Sequence, residues 1–123
     1  MKGGEQFTRW FFPVKSCRVY DGDTLMDLVL DLGFGLSFMT TGRLSGINAP
    51  EVRGKMKVDG IISRDWLKQS IESAISVHVQ TISETSRRTL KGKYGRWIIS
   101  VWADGVNLNE EMVRRGYAKK ASY

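Results

Sequence analysis

The chain has 123 residues, 41% of them hydrophobic, with a single cysteine, a formal net charge of +6 and a pI near 9.7. That length suits one domain over residues 1–123 with one buried core, the lone cysteine excludes an internal disulfide, and no apolar run approaches the roughly 18 residues that span a membrane. The positive balance favours a polyanionic partner, because basic surface releases counterions from phosphates, whereas neither predicted helix has the basic amphipathic face of a membrane-surface segment.

The first ten residues carry Lys2, Glu5 and Arg9 without an apolar h-region, so they do not read as an intact signal peptide. Secretion after removal of a leader and residence in the cytoplasm both stay open. Trp10 to Tyr20 reads as a first strand, where Pro13 calls for a bulge or an edge, and Cys17 reads as a buried small hydrophobe. Asp21-Gly22-Asp23 is turn chemistry, and Thr24 to Leu30 follows as a second strand. Another glycine-rich turn, Asp31 to Gly35, leads into a third strand, Leu36 to Ile47, which Asn48-Ala49-Pro50-Glu51 ends.

Lys55 to Asp59 reads as a polar, basic loop. From Gly60 the period changes: Ile62, Trp66, Ser70 and Ala74, with Leu67, Ile71 and Ile75, share one face of an amphipathic helix of about four turns. Ser76 to Ser83 alternates as a fourth strand with His78 toward solvent, Glu84 to Gly95 is a basic connection, and Trp97 to Ala103 is a fifth strand. Asn107, with Glu110 three residues on, caps a last helix whose core side is Leu108, Met112 and Val113. Three strands, a helix, two strands and a helix predict an α+β fold: a five-stranded Greek-key OB barrel with a helix between strands three and four and a C-terminal helix.

Polar residues gather at the ends of these strands: Asp21 and Asp23 after the first, Arg43 late in the third with Asn48 and Glu51 behind it, and Arg96 opening the fifth. Phosphodiester cleavage needs such a set, with an acid for a divalent metal, a carboxylate to activate water and guanidinium groups for charge at phosphorus. Each member alone has a plainer reading, as a turn, a surface strand residue or a solvated basic loop. An EF-hand starting at Asp21 fails, because its sixth and twelfth positions are Met26 and Leu32.

Four blocks, Val19 to Thr24, Arg43 to Glu51, Lys93 to Arg96 and Asn109 to Ala118, resemble in order those of the staphylococcal nuclease (thermonuclease) family. The resemblance implies a Ca²⁺-dependent nuclease with an OB-fold that attacks DNA or RNA, single-stranded or denatured strands above all, and leaves a 3′-phosphate. It implies Asp23, Asn48 and the main-chain carbonyl of Ala49 as metal ligands, Glu51 as general base, and Arg43 and Arg96 as the phosphate clamp. Lys93 and Tyr94 would contact the nucleotide, with Lys55 and Lys57 in the basic loop beside the groove.

Asn48 departs from the aspartate typical of the family at that position, which removes a full negative charge. Metal binding is expected to weaken by on the order of 1–3 kcal/mol. Ser122 stands where a tyrosine is expected near the nucleotide ring. The chain also stops short of the terminal helix of the best-known members, and Trp10, Phe11 and Phe12 either pack in the barrel or offer surface for a weak homodimer; a monomer is the other expectation. The alternative functions are a non-catalytic nucleic-acid-binding module and a protein-interaction domain.

Overall fold

The structure, a computed structural model, describes residues 11–81 and 96–121. Strand β1 (Phe11–Asp21) turns at Gly22-Asp23 into β2 (Thr24–Gly33), which turns at Phe34-Gly35 into β3 (Leu36–Leu44). A short β4 (Ile47–Asn48) follows, then a 3₁₀ turn (Gly54–Met56), helix α1 (Lys57–Glu72), β5 (Val77–Thr81) and β6 (Trp97–Ala103). The chain continues through β7 (Val106–Asn107), helix α2 (Leu108–Arg114) and β8 (Lys119–Lys120).

The strand order β3-β2-β1-β5-β6 is closed by a parallel pairing of β3 with β6, so five strands form the expected barrel. Strand β1 changes partners near Pro13: Phe11 to Pro13 pair with β5, and pairing with β2 begins at Val14. A residue without an N–H is tolerated at such a switch because only one neighbour needs bonding there. Leu25, Leu28, Leu44, Val79, Ile99 and Val101 fill the barrel, and Leu67 of α1 with Leu108 and Met112 of α2 close it. Asn107 caps α2 as expected, its side chain accepting from the Glu110 N–H at 3.1 Å.

Four expectations need correction. The third strand is broken at Ser45-Gly46, where Gly46 has φ +75°, so β4 stands apart and pairs with β8, a strand not foreseen. The expected basic loop at Lys55 to Asp59 is instead the 3₁₀ turn and the first turn of α1. Trp66, Leu67 and Ile71 of α1, with Ala74 just beyond it, pack on the core as expected, but Gly60 and Ser63 are the other buried residues of α1, and Ile62 and Ile75 are exposed. Small residues lie inward because main chain presses on this face: a Cβ on Gly60 would strike the Glu51 carbonyl, and one on Gly22 would strike Ser63 Oγ. Finally, His78 is half-buried under Phe11, the rings stacked 4.9 Å apart, rather than turned to solvent.

Of the aromatic residues at the start of β1, Phe12 packs on the core and Phe11 lies over His78 and Trp102; Trp10 falls outside the described residues. Cys17 packs against the core, and burial, then the charge of Glu72, pushes its thiol up, away from nucleophilic use.

Candidate active site

Gly42 and Leu44 face the barrel interior, so strand alternation sends Arg43 to the outer face. It is nevertheless only 6% exposed, because the chain folds back over it at Ile47 to Ala49. The ladder sets Thr24 opposite Arg43, which brings the β1–β2 turn to the same point, and the Leu44 N–H donates to the Asp23 carbonyl at 2.8 Å.

Asp23 is buried there, 6% exposed, and both its carboxylate oxygens are engaged. Oδ2 lies 2.9 Å from Arg43 Nη1 and accepts the Ala49 N–H at 2.8 Å, while Oδ1 accepts the Thr24 hydroxyl at 3.1 Å. Arg43 Nη2 donates to Asn48 Oδ1 at 3.2 Å and to the Ile47 carbonyl at 3.4 Å. One guanidinium therefore bridges two residues expected to bind metal. Asp21 caps the turn, its Oδ1 accepting the Asp23 N–H at 3.1 Å. Burial, then the hydrogen bond and negative charge of Asp23, pushes the Asp21 carboxyl up to about 7.

Glu51 is exposed two residues beyond Ala49, and Gly60 fixes its main chain by letting α1 approach the Glu51 carbonyl. Arg96 is half-buried and immediately precedes Trp97, which pairs with Gly42, so it stands just before the Gly42 end of the β3–β6 pair, two positions ahead of Ile98, the partner of Arg43. Lys55 and Lys57 are exposed on the 3₁₀ turn and the start of α1. Lys93, Tyr94 and Ser122 lie outside the described residues. A groove of about 480 Å³ borders the cluster at Asn48 and Ala49, with Met56, Ile62, Tyr117 and Lys119 on its walls.

The side-chain donors gathered here are hard oxygens, those of Asp21, Asp23 and Asn48, a donor type that suits a cation such as Ca²⁺. Among the described residues no group of three or more His, Cys, Asp or Glu side chains could hold a metal, so the charge available to a cation is small.

Sequence reasoning passed over three supports. Thr24 orients Asp23, and Ser63 is buried under Gly22 with its hydroxyl unbonded among the described residues. Asn109, also buried, ties α2 to the site's strands: Oδ1 accepts the Val101 N–H at 2.9 Å, and Nδ2 donates to the carbonyls of Ser45 and Ile99 at 2.9 and 3.1 Å. A polar residue one place after a buried leucine in a capped helix was the available signal.

Residues 41–123, about two thirds of the chain, match the family model of the staphylococcal nuclease homologues. That span takes in Arg43, Asn48, Glu51 and Arg96, while Asp23 precedes it and contacts Arg43 and the Ala49 N–H. No curated protein matches the chain.

Proposed function

From a chain that belongs to the staphylococcal nuclease homologues, we propose a metal-dependent nuclease that hydrolyses phosphodiester bonds of DNA or RNA. The observation that carries this reading is the buried contact of Asp23 with Arg43, held by β2, β3 and the Asn48–Ala49 turn at one place on the barrel wall. A purely structural barrel has no need of an acid and a guanidinium buried together, since apolar side chains of similar volume serve stability as well or better.

In this reading Arg43 and Arg96 hold the phosphate and balance the charge that grows on its oxygens during attack. Glu51, exposed to solvent, takes a proton from the water that attacks phosphorus. The bond from phosphorus to the 5′ oxygen breaks and that oxygen takes a proton from solvent, leaving a 3′-phosphate on one fragment and a 5′-hydroxyl on the other. Asp23, Asn48 Oδ1 and the Ala49 carbonyl, with Asp21 alongside, would hold a divalent cation such as Ca²⁺, which would supply Lewis-acid neutralisation of the phosphate. Lys93 and Tyr94 contact the nucleotide, and Lys55 and Lys57 attract the strand.

Denatured DNA incubated with Ca²⁺ should be cut, and excess EDTA should stop the cutting. Glu51→Gln should lower kcat by about 10² or more with the fold intact. Absence of chelator-sensitive cleavage with Ca²⁺, Mn²⁺ and Mg²⁺ at neutral and alkaline pH would overturn the proposal. The neutral Asn48 and the guanidinium seated on Asp23 favour a second reading, a nucleic-acid-binding module without catalysis. In that case Asn48→Asp would restore no cutting, while binding would stay salt-dependent.

A further inference from the structure

We propose that Arg43 is the resident counter-ion of Asp23, and that a divalent cation enters this site only in exchange for the Arg43 guanidinium. The inference rests on the metal-dependent reading above and adds to it a coupling between the cation and this chain's own arginine. Asp23 Oδ2 and Asn48 Oδ1, two of the oxygens assigned to a cation, are both taken by the same guanidinium, at 2.9 and 3.2 Å. The Asp23 and Arg43 side chains are only 8% and 7% exposed, so water screens them little. A cation bound by those oxygens would share a poorly solvated space with a second positive charge.

Whether that space tolerates both charges depends on position 48. With Asn48 neutral and Glu51 out in solvent, the ionised Asp21 and Asp23 and the Arg43 guanidinium sum to one net negative charge, too little to neutralise a dication beside the guanidinium. A carboxylate at position 48 would supply another charge and let the arginine and the cation stay together. Asn48 thus makes the two mutually exclusive. A guanidinium displaced from Asp23 stays on the outer face of the barrel, on the side from which a phosphate oxygen would approach. Binding of the cation and of the phosphate are then linked, each raising the affinity for the other.

Calorimetric titration with Ca²⁺ of the full chain, without nucleic acid, tests this apart from activity. Arg43→Gln should tighten Ca²⁺ binding about tenfold or more in the protein as it stands, but by less than threefold in an Asn48→Asp background, where exchange is not required. Lys119→Gln, which removes an exposed positive charge opposite Asn48 on β8, should change affinity less than twofold.

Guanidinium NMR of the unaltered protein supplies the reading should Arg43→Gln fail to fold. The Arg43 Nη signals, separated by hindered rotation in the ion pair, should coalesce as Ca²⁺ saturates. Saturable Ca²⁺ binding with those signals unchanged would overturn the exchange and leave the nuclease reading intact. No Ca²⁺ binding even in Asn48→Asp would overturn both.

Discussion

Asn109 uses both ends of its amide where α2 meets the barrel, tying β6 at Ile99 and Val101 to Ser45 at the break after β3. Replacing it with alanine leaves the Val101 N–H and the Ser45 carbonyl without that partner in a buried setting, while the Ile99 carbonyl still accepts the Ser45 N–H at 2.7 Å. Each unmet group costs about 1–3 kcal/mol, although relaxation recovers part of that, so Asn109→Ala should lose about 2–4 kcal/mol in urea unfolding. A loss under 1 kcal/mol would mean that water replaces the amide. Glu111, on the exposed side of the same helix, accepts from Arg114 at 2.7 and 2.9 Å and from Arg115 at 2.9 Å. Those hydrogen bonds, Arg114 first, hold its carboxyl down to about 2. A carboxyl depressed on folding stabilises fully above its unfolded value, near 4.3, and that contribution fades as pH falls toward 2. Glu111→Gln should therefore flatten the fall of thermal midpoint between about pH 4.5 and 2. An acid limb as steep as the unaltered protein's would show that the fork is already solvated.

Helix α1 shows how one element places the site, and where sequence patterning misleads. Gly60 and Ser63 face inward because the Glu51 carbonyl and Gly22 come too close for larger side chains. In Gly60→Ala the gain in helix propensity, about 1 kcal/mol, opposes an overpacking cost of about 1–3 kcal/mol. The second prevails because the obstructing atom is main chain, which cannot rotate away. The variant should unfold at lower denaturant, and kcat should fall more than KM rises, since Glu51 is what moves. An increase in stability would show that α1 can shift without disturbing Glu51. Reading size as burial failed here: Ile62 and Ile75 are large and exposed, and the small residues are inside. Strands with strong alternation or glycine turns, β2 and β6 among them, were legible, and so was the cap at Asn107. The β4–β8 pair was not, because two-residue strands carry no periodicity. At the site, residue types and their order suggested Asp23, Arg43 and Asn48, but only folding reveals that the arginine occupies the acid.

Charge is distributed unevenly over the described residues. The turn between β2 and β3 exposes Leu32, Phe34, Leu36 and Met39, while the surface around the site carries Arg53, Lys55 and Lys57 after Glu51 and Lys119 and Lys120 on the strand that pairs with β4. A net charge of +6 would draw any polyanion, but this arrangement should hold a strand across the Asn48 end of the barrel rather than at the β2–β3 turn. Binding of a single-stranded oligonucleotide in EDTA, followed by fluorescence anisotropy at several salt concentrations, measures how many phosphates are neutralised. Each phosphate contact contributes about −0.7 to the slope of log K against log salt for single strands. Lys57→Gln should weaken binding and make that slope shallower by about 0.7, whereas Lys15→Gln, on β1, should leave the slope as it is. If both substitutions reduce the slope equally, the strand follows net charge alone and the Asn48 end of the barrel has no special claim on it.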